Sequence, residues 1–273
     1  MIRKAVITAA GLGTRLLPMS KELPKEMLPI YVRGQNGIVL KPLLQAVFEQ
    51  LYCFGIREFC FVVGRGKRAI EDHFTPDWSF IKRMNEKGKE RIASELSNFY
   101  RMVEKSSIMW VNQPEPMGFG HAVLMARPFV KNERFLVCAG DTYIISNDFL
   151  KRMAEKNSDA VLLLQRVEDP RQYGVALVEE SRVLKVVEKP EKPISNLAIM
   201  PFYVFNQEIM DILETLEPGV GGEIQLTDGI QKLIERGRKV EFVLLRDDEI
   251  RLDIGTPETY WDAIKSSYEV ARG

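Results

Sequence analysis

The stretch from Ala9 to Pro29, AAGLGTRLLPMSKELPKEMLP, constrains this chain more than any other. It follows a short apolar run, Ala5-Val6-Ile7, and gathers Gly11, Gly13, Thr14, Arg15, Lys21 and Lys25 into one loop bracketed by prolines. Glycines let backbone N–H groups approach an anion closely, and arginine and lysine add charge-assisted bonds stronger than neutral donors give. The loop therefore reads as a phosphate site. Leu16 occupies the third glycine position of G-x-G-x-x-G, and no G-x-x-x-x-G-K-[ST] occurs, so a dinucleotide fold or a P-loop is disfavoured. The competing reading is an ordinary strand-to-helix turn with solvated cations.

Ala5 to Ala9 is a continuous apolar strand, the pattern of a parallel sheet covered on both faces. Lys41 to Phe54 has helical spacing, with Pro42 at its start and Gly55 just past its end, and Phe59 to Val63 is a second strand. Strand, loop, helix, strand calls for a right-handed crossover, with ligands outside the carboxyl ends of the strands. The opening loop lies at such an end. Asp77 to Ser106 is charged and helical, an inserted helical pair with a solvated face over a thin apolar stripe.

Ile108 to Val111 is a third strand, and Gln113 to Ala122 opens the next helix. Gly118 and Gly120 offer backbone N–H groups there, and Gln113 presents a donor and an acceptor suited to a nucleobase edge. His121 reads as a helix-start or packing residue without an acid–base role. Phe135 to Ala139 ends in Gly140-Asp141-Thr142, which puts a carboxylate past a strand end, placed to hold Mg²⁺ beside phosphates unless it is merely a turn former. In the second half Ala160 to Val167, Tyr173 to Ala176, Val183 to Val187 and Leu197 to Phe205 predict a more antiparallel lobe, with Glu188-Lys189-Pro190 at one strand end and Asn196 just beyond. Helices over Gln207 to Leu216 and Glu223 to Arg236 precede a strand from Val240 to Leu245. A second aspartate, Asp253, then ends a strand, before Thr256 as cap and Pro257 in the first turn of the closing helix.

With 273 residues and 45% hydrophobic content the chain can bury a normal core, and it shows no repeat or linker. Thirty-eight basic residues balance thirty-eight acidic ones, at a pI of about 6.8, so no global field favours nucleic acid or an anionic membrane. Any anion must be met locally. Cys53, Cys60 and Cys138 are read as buried free thiols in a reducing compartment, and with His73 and His121 as the two histidines a histidine-rich metal site is excluded. No segment approaches the length of a membrane span or a signal peptide.

AAGLGTRLLP with PKEMLP, QPEPMGFGHAV, GDT, YGV, VVEKP, NLAIMPFYVF, GEIQLTD and LDIGTPE occur in the order seen in sugar-nucleotide pyrophosphorylases, and the chain resembles that family over nearly its whole length. GHAV, EKP and GEIQLTD point to the glucose uridylyl branch rather than the mannose guanylyl one. The resemblance implies an α/β, Rossmann-like nucleotidyltransferase fold, its mostly parallel mixed sheet flanked by helices with a smaller antiparallel sugar-binding lobe. It implies a single domain, residues 1–150 mainly binding nucleotide and 151–273 mainly sugar. The implied reaction turns UTP and glucose 1-phosphate into UDP-glucose and pyrophosphate, in a cytoplasmic homodimer or homotetramer.

Among site residues, Arg15 and Lys25 would stabilise the triphosphate, Asp141 and Asp253 would hold Mg²⁺, and Lys189 would grip the sugar phosphate. Ala10, Gly11, Gly13 and Thr14 would line the nucleotide site; Gln113 and Gly118 would read the uracil edge, with Glu26 in the base-contact segment. Gly174, Glu188 and Asn196 would line the hexose, Gly174 because a side chain would occupy sugar volume. Two departures keep alternatives open. Thr142 stands where the uridylyl branch often carries a second acid, and Asp253-Ile-Gly-Thr-Pro is closer to the glucose thymidylyl branch. A regulatory paralogue that binds nucleotide sugars without turnover is the remaining class.

Overall fold

The computed structural model describes residues 2–146 and 148–273, with Val220 by its backbone alone. β1 (Lys4–Ala9) is buried at every position. A loop of short turns leads to a hairpin, β2 (Pro29–Gly34) and β3 (Gly37–Pro42), and then to α1 (Leu43–Phe54), which ends on Gly55 at φ 118°. β4 (Glu58–Val63) lies parallel beside β1. α2 (Arg68–His73) and then the inserted pair, α3 (Trp78–Glu86) and α4 (Glu90–Glu104), follow before β5 (Ser107–Asn112) adds parallel to β4. α5 (Phe119–Met125) and α6 (Arg127–Val130) return the chain to β6 (Phe135–Ala139), on the other side of β1.

β7 (Thr142–Ile145) turns out of the sheet, and α7 (Phe149–Glu155) leads back into it through β8 (Ala160–Arg166). β9 (Gly174–Glu179) and β10 (Arg182–Glu188) form a second hairpin. β11 (Leu197–Phe205) runs antiparallel between β6 and β8 and joins the two halves of the sheet. α8 (Glu208–Glu214) and α9 (Leu226–Glu235) precede β12 (Val240–Leu244), parallel to β8. β13 (Ile250–Asp253) pairs with β7, and α10 (Pro257–Arg272) closes the chain behind a Thr256–Thr259 capping box.

The main sheet has nine strands in the order β5-β4-β1-β6-β11-β8-β12-β10-β9. Two-residue alternation sends Ala5, Ile7, Phe59 and Phe61 to one buried face and Val6, Cys60 and Val62 to the other. Residues of α1, α4, α7 and α10 cover the first face, and those of α5, α8 and α9 the second. Parallel strands covered on both sides read as unbroken apolar runs, which is why this half was legible.

Several expectations need correction. Helix α1 starts at Leu43 rather than Lys41, because Lys41 and Pro42 are still extended in the β2–β3 hairpin. The hairpin is an addition to the expected elements, and Asn36-Gly37 between two apolar runs is its local signal. The helix expected from Glu223 starts at Leu226, since Ile224 instead exchanges backbone hydrogen bonds with Met117 and Gly120. Cys53 is exposed, on the outward side of α1, while Cys60 and Cys138 are buried free thiols. Among the described residues no helix is long and apolar enough to cross a membrane.

Candidate active site

The carboxyl ends of β1, β5 and β6 open onto a cleft of about 450 Å³. Its rim is the glycine-rich loop, with Ala10, Gly11, Gly13, Thr14 and Arg15 all in the lining. The loop is curled by a Leu16 N–H bond to the Gly13 carbonyl, which also accepts from the Ser20 hydroxyl at 2.7 Å. Arg15 is exposed and, among the described residues, has no ion-pair partner.

Lys25 reaches the floor of the cleft and forms a hydrogen-bonded ion pair with Asp141. Asp253 is brought beside them by β13, whose register places it opposite Thr142, and by the Ile254 N–H bond to the Asp141 carbonyl at 3.0 Å. The Thr142 hydroxyl lies 3.3 Å from a carboxylate oxygen of each aspartate. Burial alone would raise the Asp141 carboxyl, but the charge and hydrogen bond of Lys25 outweigh it and hold it below the ordinary range. Asp253 moves the other way, raised by burial and then by the negative charge of Asp141. Two carboxylates thus share one lysine, which leaves the floor short of a cation.

Glu26, beside Lys25, is 2% exposed and bonded at 2.7 Å to the buried Lys67. Burial raises its carboxyl, and Lys67 only partly opposes that. Glu26 lines the cleft, but its carboxylate faces this lysine.

At the far end of the cleft Gln113, 5% exposed, donates from Nε2 to the Gly118 carbonyl at 3.1 Å and sits 2.9 Å from His121 Nδ1. Gly118 has φ 96°, and a Cβ there would stand 2.8 Å from the Ile224 carbonyl oxygen, so the position admits glycine alone on both counts.

A second cavity of about 300 Å³ adjoins the first and shares Arg15, Phe119, Ala139 and Asp141 with it. Gly174, Glu188, Lys189 and Asp253 line it. Thr227 donates to Glu188 at 2.6 Å, and Arg251 donates to the Tyr173 hydroxyl at 2.9 Å. Lys189 has a left-handed backbone, φ 38°, and an exposed ammonium 3.6 Å from Glu188. A non-glycine residue held there costs about 1–3 kcal/mol, the kind of local strain that collects at functional sites. At Gly174 a Cβ would press on Thr227 Oγ1 at 3.0 Å and Glu188 Oε2 at 3.1 Å, so those two side chains would have to give way before a larger residue fitted. Asn196 is exposed before β11 and is absent from the lining of this cavity.

Residues 4–269 match the family described as nucleotidyl transferase. The chain belongs to the nucleotidyl transferase family. It is 41% identical over 247 residues to the UTP–glucose-1-phosphate uridylyltransferase of Bacillus subtilis strain 168, covering 86% of this chain and 81% of that one. An apo UDP-glucose pyrophosphorylase structure superposes with a TM-score of 0.86 at 32% identity, over 99% of each chain. A UDP-glucose pyrophosphorylase complexed with UDP-glucose superposes with a TM-score of 0.81 at 31% identity, over 99% of this chain and 100% of that one.

Three polar residues of this nucleotidyl transferase site were not assigned from sequence. Thr142 stands out in sequence only as a non-acidic residue, yet its hydroxyl sits between the two aspartates. Thr227 lies in the GEIQLTD motif but was given no role, since nothing local announces that α9 packs on β10 and delivers its hydroxyl to Glu188. His121 reads in sequence as a packing residue, but it meets Gln113 from the loop eight residues earlier, a contact that no local pattern announces.

Proposed function

We propose that this chain joins UTP to glucose 1-phosphate, producing UDP-glucose and pyrophosphate. The observation that carries the proposal is the shared wall. A nucleotide-sized cleft and a smaller polar cavity meet at Arg15 and Asp141, where two phosphates from different substrates would face each other. The relatives named for this reaction, and the UDP-glucose complex among similar structures, support the substrates.

An oxygen of the sugar phosphate is already anionic at neutral pH and attacks the α-phosphorus of UTP. The new bond is phosphate oxygen to α-phosphorus; the bond that breaks joins the α-phosphorus to the bridging oxygen, and pyrophosphate leaves with that electron pair. No general base is required, so positioning and charge compensation carry the catalysis. Arg15 faces both phosphates, Lys189 holds the sugar phosphate, and the glycine-rich loop presents backbone N–H groups to the triphosphate.

Asp141 and Asp253 are the residues that would hold Mg²⁺. Their hard oxygen donors, and an Asp253 carboxyl raised by burial and by its neighbour's charge, fit a divalent cation. Two carboxylates are enough for Mg²⁺, which commonly takes one or two and completes its shell with water and substrate phosphate. When bound it would neutralise charge on the α-phosphate. The free thiols support a reducing compartment such as the cytoplasm.

The direct test is pyrophosphate release from UTP, expected only when glucose 1-phosphate and Mg²⁺ are both supplied. Across nucleotides we expect UTP to be best and dTTP a measurable second. Release without the sugar phosphate, or a preference for a purine nucleotide, refutes the reading. The division between the cavities has its own test. Lys189→Ala should raise KM for glucose 1-phosphate by about tenfold or more and leave KM for UTP nearly unchanged, because the ammonium lines only the smaller cavity. Equal losses for both substrates would contradict that assignment.

A further inference from the structure

The proposed function leaves His121 without a task, but its geometry with Gln113 supplies one. A backbone carbonyl cannot donate, so the Gln113 atom 3.1 Å from the Gly118 oxygen must be the amide nitrogen. That nitrogen has two hydrogens. The amide nitrogen has no lone pair to offer, so in its 2.9 Å contact with His121 Nδ1 the ring nitrogen is the acceptor and takes the second hydrogen. Both donors of the amide are thus consumed inside the protein. Gln113 is 5% exposed and lines the cleft, and among the described residues its carboxamide oxygen neither has a hydrogen-bond partner nor belongs to the fully enclosed unpaired atoms.

We propose that His121 is a positioning residue for base selection, holding the Gln113 amide so that it offers the base its oxygen alone. An acceptor fixed in the wall of the cleft demands a donor from the ligand. The imide N3–H of uracil supplies one, whereas N3 of cytosine carries a lone pair in the same place and would meet the oxygen with repulsion. The Gly118 carbonyl by itself occupies one hydrogen and leaves the amide able to swing; His121 takes the other and removes that freedom. His121 also sits one helical turn from Gly118 on α5, so one turn presents both acceptors. The inference rests on the uridylyl reading of the cleft.

The test uses the whole enzyme and compares kcat/KM for UTP and CTP with glucose 1-phosphate. Leucine is close in shape to histidine but has a methyl group where Nδ1 stands, and asparagine keeps a possible acceptor at the corresponding atom. His121→Leu should narrow the UTP-to-CTP ratio by about tenfold, the size expected for one lost hydrogen bond, and the loss for UTP should fall mainly in KM. His121→Asn should restore most of the ratio. Because a ratio of two kcat/KM values cancels the concentration of active protein, partial unfolding does not mask the result, and His121→Met replaces the leucine variant if that chain fails to fold. A wild-type ratio in the leucine or methionine variant overturns the role of His121 while leaving the uridylyl reading intact. A wild-type enzyme that does not use UTP overturns the reading itself.

Discussion

Asp141→Asn should lower kcat by about 10³-fold or more, because it removes the one carboxylate that touches Lys25, lies within reach of Thr142 and lines both cavities. The fold should tolerate the change. Lys25, Asp141 and Asp253 together carry one excess negative charge on the cleft floor, and asparagine brings the sum to neutrality, with Asp253 free to ionise against Lys25. Only a small shift in Tm is expected. Asp253→Asn is predicted to behave differently. Its carboxyl is raised in the folded protein, so the ionised form opposes folding, and this penalty appears as the pH rises through the folded value. The variant should therefore gain a few degrees of Tm at pH 8 while losing turnover, a case of stability traded for function. Steady-state assays with thermal melts of both variants check this. Wild-type-like turnover in Asp141→Asn would remove that residue from the site.

Lys67→Met should destabilise the protein by about 3–5 kcal/mol, on the order of 10 °C in Tm, since it strands the Glu26 carboxylate in a buried position. The pH dependence follows from the direction of the Glu26 shift. A carboxyl raised on folding contributes stability that is fully present below its unfolded value and is lost as pH rises through the folded one. Without Lys67 the folded value climbs further, so the deficit against wild type should be smaller near pH 5 and largest near pH 8. Chemical denaturation at the two pH values decides the matter. A deficit independent of pH would show that packing, not the charge pair, accounts for the loss.

The local periodicity of the chain determined the parallel half of the sheet. β1, β4, β5 and β6 were placed to within a residue or so at either end, because buried parallel strands carry their apolar pattern in consecutive residues. The same holds for Gly55 ending α1 and for Thr256 capping α10, both being matters of a single backbone conformation. The glycine-rich loop and the two strand-end aspartates were legible as residue types at strand ends. Which groups these residues meet was not. The Lys25–Asp141 ion pair joins positions 116 residues apart, and the Thr142 hydroxyl approaches Asp253 across 111. Sequence shows the charge of Lys25 but not the carboxylate that it pairs with. The split in ionisation between Asp141 and Asp253 likewise arises from burial and from which one the single lysine touches. The start of α9 and the clamp of Ile224 on the Gly118 loop were decided by backbone hydrogen bonds between segments more than 100 residues apart, which no local propensity encodes. Sequence thus determined the chemical inventory and the strand-end positions, whereas long-range packing decided which groups are paired and which are left to meet a substrate.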